Sequence, residues 1–444
     1  MGGGTLTAGM GGFGQVDRRA FLAALATAAA PAPAFARAGS RYAPLEAFLD
    51  RQVAEGRVPG AILALVRPGR FRPDYLATGV TEFGGRRAVD ADTLFRIYSM
   101  TKCVTGMAAM QAVGEGILGL DMPVAEVFPA YREMRVLLDP AKDLASRPAE
   151  RPMRLRHLLT HTAGLSYTIS GDGPLEQAYR RLGLAPTGSL ALREGDAPPP
   201  DLATFAARLA TLPLMFEPGT AWRYAVGLDL VGAMLEARER EPLDRLFERR
   251  LFRPLGMAST GFVVPPADRA RFAAAYGWVD PATMTPVDRP TRVDGPDASD
   301  YFQRPTLLAG GAGLVSSARD FAAFAQMLLN DGLFEGRRVL PAGIARLAMG
   351  NLLEPGVFWQ PGPGMPPAGY GAGGSVTLFD TRAADPAGTP AGVYGWGGAA
   401  GTLFHVDPVR RYAVVLLLQY LPSSRFPVGR ELQQALNQAF PAAA

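Results

Sequence analysis

From Pro44 onward the apolar positions fall first at helical and then at strand spacing. "PLEAFLDRQVAEGRVPG" has apolar residues at helical intervals and ends at Gly and Pro, which predicts a helix. "GAILALVRPG" and "DYLATGVTEFG" follow and predict two strands joined by a turn. From "SMTKCVTGMAAMQAVGEG" to about residue 260 the period is mainly helical, interrupted by Pro and Gly at 138–152, 183–200 and 211–224. Strand signals return in "GGAGLVSS", which runs into a helix "ARDFAAFAQMLLNDG". Ser317 stands before Asp320 as in a capping box, and Gly332 follows the helix end. In the last third "VYGWGGAAGTLFHVDP" and "RRYAVVLLLQYL" predict a hairpin turning at Asp407-Pro408, and "GRELQQALNQAF" predicts a closing helix.

Strands at both ends with helices between them predict one mixed sheet assembled from the two termini, with a helical subdomain inserted over about 105–305. The expected class is α/β (α+β), a single domain over 40–440, with its site in the cleft between sheet and helices. Two Pro/Gly-rich stretches, 281–306 and 353–374, are long for plain connectors and are expected to line or cover that cleft. There is no internal repeat.

Composition narrows the function classes. With 48% hydrophobic and 19% charged residues the 444-residue chain is an ordinary globular protein. Its formal charge of +4 is small and spread along the chain, without the basic stripe that a nucleic-acid surface needs. The single cysteine, Cys103, excludes an internal disulfide and any Cys-based zinc site. Residues 1–36 read as an export signal: Arg18-Arg19-Ala20-Phe21-Leu22 resembles the twin-arginine type, an apolar small-residue run follows, and Ala34-Phe35-Ala36 fits a cleavage site. The run is too short and too rich in Pro and Ala to span a bilayer. The expected mature protein is periplasmic or secreted and not membrane-inserted, and the sequence sets no oligomeric state.

The chemistry begins at "RIYSMTKCVTG". Of 45 Lys and Arg only Lys102 and Lys142 are lysine, so a lysine at 102 asks for a reason. Residues three apart on a helix share a face, which sets the Lys102 amine beside the Ser99 hydroxyl. A serine hydroxyl becomes a good nucleophile when a base takes its proton; a buried neutral amine can, and a guanidinium cannot. If Ser99 also begins the helix, its backbone N–H points at a bound carbonyl. S-x-x-K alone is a pattern that chance supplies in many helices, so its weight comes from context.

That context is five blocks in order: "LFRIYSMTK", "LRHLLTHTAGL", "FEPGTAWRYAVGLDLVG", "GGAGLVSSARDFAAFAQMLLNDG" and "GWGGAAGTLFHVDP". They resemble the serine β-lactamase-like superfamily, of class C β-lactamase and penicillin-binding protein type, and particularly family VIII carboxylesterases, over about residues 43–440. The resemblance implies a β-lactamase/transpeptidase-like fold whose mixed sheet is mainly antiparallel, and it implies no cofactor and no metal. It makes Ser99 the acylated nucleophile, Lys102 its base, and Tyr224 the second general base. The N–H groups of Ser99 and Ala399 form the oxyanion hole, and Trp396, Gly397, Gly398 and Val226 contact substrate. Trp396-Gly397-Gly398 stands where β-lactamases carry Lys-Thr-Gly, and Val226 where they carry an asparagine. Both anchors for a charged amide substrate are thereby lost while the acyl-transfer machinery stays, which favours a neutral ester. The same superfamily holds β-lactamases, D-amino-acid peptidases and amide hydrolases, acyltransferases, and sensors that acylate once without turnover.

Other candidates carry less. His157 and His161 are four apart but lack the Glu of H-E-x-x-H and a third ligand, so a structural role is expected. His405 alternates with apolar residues and reads as packed. No G-x-S-x-G or Walker sequence occurs. Cys103 points away from the Ser99 and Lys102 face and reads as core.

Overall fold

Residues 60–66, Gly-Ala-Ile-Leu-Ala-Leu-Val, are all buried, which a strand achieves when both faces of its sheet are covered. This is strand β1 (Gly60–Val66) of the computed structural model, which describes residues 40–441 apart from 185–197, 281–282, 284, 361 and 363–364. β1 lies between β2 (Asp74–Gly79) and β7 (Tyr412–Leu417), so strands from the N-terminal and C-terminal parts of the chain pair within one sheet. β3 (Gly369–Tyr370), β4 (Ser375–Val376), β5 (Tyr394–Gly397) and β6 (Leu403–Asp407) complete it in the order β3-β4-β5-β6-β7-β1-β2, every pairing antiparallel.

The alternation of a strand assigns the two cores. Ala61, Leu63 and Leu65 of β1 join Val414 and Leu416 of β7 under α1 (Ala43–Ala54) and α5 (Val428–Ala439). Ile62, Ala64 and Val66 face the other way, with Val415 and Leu417, toward Phe321 and Phe324 of α4 (Ala318–Leu329). The Ser317 hydroxyl caps α4 by accepting the Asp320 N–H. Two more helices carry the chemistry, α2 (Thr101–Gly114) and α3 (Gly227–Glu239), which pack on each other. α2 is buried around nearly its whole circumference, as its run of Ala, Met, Val and Gly allows.

Several expectations are corrected. "VYGWGGAAGTLFHVDP" is not one strand but two, β5 and β6, folded at residues 398–402, where Gly401 has φ +79°. "GGAGLVSS" contributes Val315–Ser317, which pairs with Leu94–Arg96 outside the seven-stranded sheet. The stretch 138–152 is not only loop, since Ser146–Pro148 pairs with Arg135–Leu137. The stretch 281–306 contains the nine-residue strand Pro286–Asp294, paired with Ala275–Val279. It is mostly exposed and begins with Pro, which an edge strand tolerates, so it lacks the apolar alternation that betrays a strand. Residues 420–421 pair in parallel with 276–277, tying this region to the C-terminal part. The span 105–305 otherwise holds mainly helices among its described residues. The export signal expected over 1–36 lies outside the described residues. Among the described residues no helix is long and apolar enough to cross a membrane.

Candidate active site

The segment entering α2 is held from below. Arg96, fully buried, donates from Nε to Asp294 Oδ2 at 2.6 Å and lies over the Phe272 ring at 3.8 Å. Ile97 N–H donates to Leu314 O at 3.1 Å, and Thr101 Oγ1 accepts the Leu314 N–H at 3.2 Å. Between these anchors Tyr98 takes φ +40°, a left-handed conformation costly for a non-glycine residue. Ser99 does not open the α-helix, as expected from sequence, but sits in the 3₁₀ turn Tyr98–Met100 that leads into α2. It is half-buried, whereas Lys102 one turn on is fully buried.

Two groups converge on the Ser99 hydroxyl. Lys102 Nζ donates to Ser99 Oγ at 3.3 Å, and Tyr224 Oη donates to it at 2.7 Å. Nζ also lies 4.7 Å from the centre of the Tyr224 ring and 5.4 Å from that of Tyr167. Its second hydrogen-bond partner is the Gly311 carbonyl at 2.7 Å. That carbonyl is aimed by both helices: Thr105 Oγ1 of α2 donates to Gly310 O at 2.6 Å, and Asp229 Oδ1 of α3 accepts the Gly311 N–H at 2.9 Å. A Cβ on Gly311 would run into the Asp229 carboxylate, so the close approach requires glycine. The line Asp229, Gly311, Lys102, Ser99, Tyr224 is therefore continuous. Sequence reading missed Asp229, Thr105 and Gly311; the available signal was a charged residue inside the apolar run "GLDLVGAML".

Asp229 is 5% exposed, and burial holds its carboxyl above the ordinary value of 3.8, opposed by Lys102 and the Gly311 N–H. A carboxyl whose folded pKa is raised favours the fold while protonated, and that contribution is lost as pH rises from about 3.8 through the folded value. Asp229→Asn keeps an acceptor for Gly311 and removes the charge. It is expected to melt above the wild type at pH 7, by a margin that shrinks toward pH 4, while kcat on p-nitrophenyl butyrate falls about tenfold. Melting curves and steady-state rates across this range check both; an Asn variant that melts lower at pH 7 would mean that attraction to Lys102 outweighs burial.

Tyr224 is fixed through its backbone and one ring. Ser170 Oγ donates to its carbonyl at 3.1 Å, and the next N–H, of Ala225, donates to His161 Nδ1 at 3.2 Å. Since Nδ1 accepts, the proton of the neutral imidazole is on Nε2. Burial, helped by the nearby Lys102, holds His161 well below the ordinary imidazole range. Its ring is 4.7 Å from that of Tyr224. His161 lies past the end of the helix Leu155–Leu159 rather than on one face of it with His157, whose Nδ1 accepts the Arg154 N–H at 3.2 Å. Arg223, beside Tyr224, is bound to Glu176 at 2.7 Å and to Ser166 at 3.0 Å.

The far wall is the end of β5. Trp396 and Gly397 are half-buried and Ala399 is exposed. A Cβ on Gly398 would collide with Ile97 O and Thr402 Oγ1, so glycine lets the strand end close on the backbone just ahead of Ser99. Val226, expected at the substrate, is instead 1% exposed and packs in the core, because the N-terminus of α3 turns it inward. Its apolar side chain removes a polar group from the wall without offering a surface. Cys103 donates to Gly373 O at 3.2 Å, and burial pushes its thiol up to about 12, which makes it inert. The stretch 353–374 supplies Trp359 and Tyr370, whose rings lie 5.1 and 5.2 Å from Trp396. Neither was singled out in the sequence, where nothing marks them as neighbours of residue 396.

The Beta-lactamase family model matches residues 45–438. Protein Rv1367c of Mycobacterium tuberculosis is 36% identical over 350 residues, 76% of this chain and 82% of its own. Esterase EstB of Burkholderia gladioli is 33% identical over 392 residues, 86% of this chain and 91% of its own. The solved structure of EstCE1, a hydrolase with promiscuous acyltransferase activity, superposes with a TM-score of 0.72 at 26% identity, covering 90% of this chain and 99% of that one. With this match along the chain, and a serine hydroxyl held between a buried lysine and a tyrosine, the protein belongs to the Beta-lactamase family and is a serine hydrolase.

Proposed function

We propose that the protein hydrolyses small neutral carboxylic esters through an acyl-enzyme on Ser99. The observation that carries this reading is the Ser99 hydroxyl held between Tyr224 Oη at 2.7 Å and Lys102 Nζ at 3.3 Å. Ser99 Oγ attacks the ester carbonyl and its proton passes to this pair. The N–H groups of Ser99 and Ala399 stabilise the tetrahedral oxyanion. As the carbon–oxygen bond to the alcohol breaks, the pair returns the proton to the departing oxygen. Water, deprotonated by Tyr224 with Lys102 beside it, then attacks the acyl-enzyme and releases the acid. An alcohol can replace water in that last step, a reading favoured by the acyltransferase activity of EstCE1.

Ester rather than β-lactam is supported by the indole of Trp396 and the inward Val226, which stand where β-lactamases carry a lysine and an asparagine. Arg223 is committed to Glu176 and Ser166 and does not replace the cation. Export as a periplasmic or secreted protein is part of the proposal and rests on Arg18-Arg19 and Ala34-Phe35-Ala36. One preparation of the mature protein is given p-nitrophenyl butyrate and a chromogenic cephalosporin, beside Ser99→Ala. The butyrate is expected to turn over at least a hundredfold faster, consistent with the discrimination lost when a carboxylate partner is absent. Faster cephalosporin turnover would move the protein to the β-lactamases by activity.

A further inference from the structure

Three of the four tryptophans in the chain meet beside Ser99, whereas the fourth, Trp278, belongs to the core under α1 and α5. With Tyr224 they close a circuit of rings. Centroids are 6.3 Å apart for Trp222 and Tyr224, 5.8 Å for Tyr224 and Trp396, 5.1 Å for Trp396 and Trp359, and 5.9 Å for Trp359 and Trp222. Tyr370, fully buried, lies within 6.3 Å of all three tryptophans and forms the floor. The four rings of the circuit are each half-buried, so each keeps part of its surface toward solvent. The planes of Trp222 and Trp396 are inclined to Tyr224 by only 22° and 36°. Trp359 is tilted by 41° from Trp222 and by 60° from Trp396, so the four rings form one contiguous, angled aromatic surface, not a cage around a compact group.

The wall has a defined place in the reaction. When the acyl-enzyme forms, the alcohol oxygen leaves with the proton that Ser99 gave up. Lys102 is fully buried, so the proton carrier that faces the cleft is Tyr224. The rings that touch Tyr224 therefore stand on the leaving-alcohol side. A cationic alcohol has no advantage there, because Lys102 Nζ already occupies the neighbourhood of the Tyr224 ring at 4.7 Å.

We propose that this wall binds the alcohol portion of the ester and selects alcohols bearing a flat, uncharged aromatic ring over saturated ones of equal size. The inference rests on the esterase reading above and adds the substrate class to it. Offset or edge-on stacking of a ligand ring on such a wall is worth about tenfold in binding beyond the apolar area covered.

The test uses acetates with one acyl group and alcohols of similar acidity: benzyl, cyclohexylmethyl and ethyl acetate, with acid release followed by titration. The wild type is expected to prefer the benzyl over the cyclohexylmethyl ester about tenfold in kcat/KM, mostly through KM. In Trp359→Ala and in Trp222→Leu, each checked for a native circular-dichroism spectrum, that ratio is expected to fall toward one. Benzyl alcohol should likewise inhibit p-nitrophenyl butyrate hydrolysis more strongly than cyclohexylmethanol, a readout that needs only the wild type. Equal kcat/KM for the two ring esters, or a preference unchanged in both variants, overturns the inference while Ser99-dependent ethyl acetate turnover leaves the esterase reading intact. No turnover of any ester, p-nitrophenyl butyrate included, overturns both.

Discussion

Ser99→Ala is expected to lower kcat/KM for p-nitrophenyl butyrate by about 10⁴-fold or more and to abolish covalent labelling by a fluorophosphonate probe. Lys102 Nζ and Tyr224 Oη both converge on the Ser99 hydroxyl, at 3.3 and 2.7 Å. Removing it leaves the proton carriers and the oxyanion donors in place without an atom to acylate, so only direct attack by water on a bound ester remains. The methyl of alanine fits the same half-buried turn, and the anchors on either side, Arg96 with Asp294 and Thr101 with Leu314, do not involve the hydroxyl. The variant should therefore fold as the wild type does. Intact-protein mass spectrometry after brief exposure to the ester gives the second readout: an acyl adduct in the wild type and none in the variant. An adduct that persists in Ser99→Ala would place the nucleophile elsewhere.

How much of this was legible beforehand follows from the range of each signal. Local periodicity carried α1, β1, α4 and α5, because each buries one face or two in a regular pattern. It did not divide β5 from β6, since Gly398 and Gly401 read as strand glycines until their collisions with Ile97 and Tyr420 are known. It also overlooked Pro286–Asp294, an exposed edge strand without alternation. The site divides in the same way. Ser99 and Lys102 are one helical turn apart, so spacing alone brings them together. Tyr224 and the Trp396-Gly397-Gly398 strand came from the resemblance to a family. Asp229, Gly311, His161 and the tryptophans at 222 and 359 act across distances of tens to hundreds of residues, and their hydrogen bonds and ring contacts exist only once α2, α3 and β5 are packed. Val226 was misjudged for the opposite reason: a position in a motif says which element a residue belongs to, not which way that element turns it.

The scarcity of lysine in this chain makes the second prediction a sharp one. Lys102→Arg keeps a positive charge and much of the length, yet kcat on the ester is expected to fall about 10³-fold, because a guanidinium does not accept the serine proton and general-base catalysis is lost. Geometry adds to chemistry. Lys102 is fully buried in a socket closed by the Gly311 carbonyl at 2.7 Å and by the rings of Tyr224 and Tyr167. A planar fork with five N–H donors finds one carbonyl and one hydroxyl there, leaving buried donors unpaired, so the variant should also melt below the wild type. Separating the two effects requires Lys102→Met, which has similar bulk and no donor to strand. If the base is what matters, Met and Arg variants lose activity to the same extent although the Met variant melts higher. If charge alone supported Tyr224, the Arg variant would retain a rate well above that of Met, and the role of Lys102 would be to hold Tyr224 Oη in its reactive form while Tyr224 moved every proton.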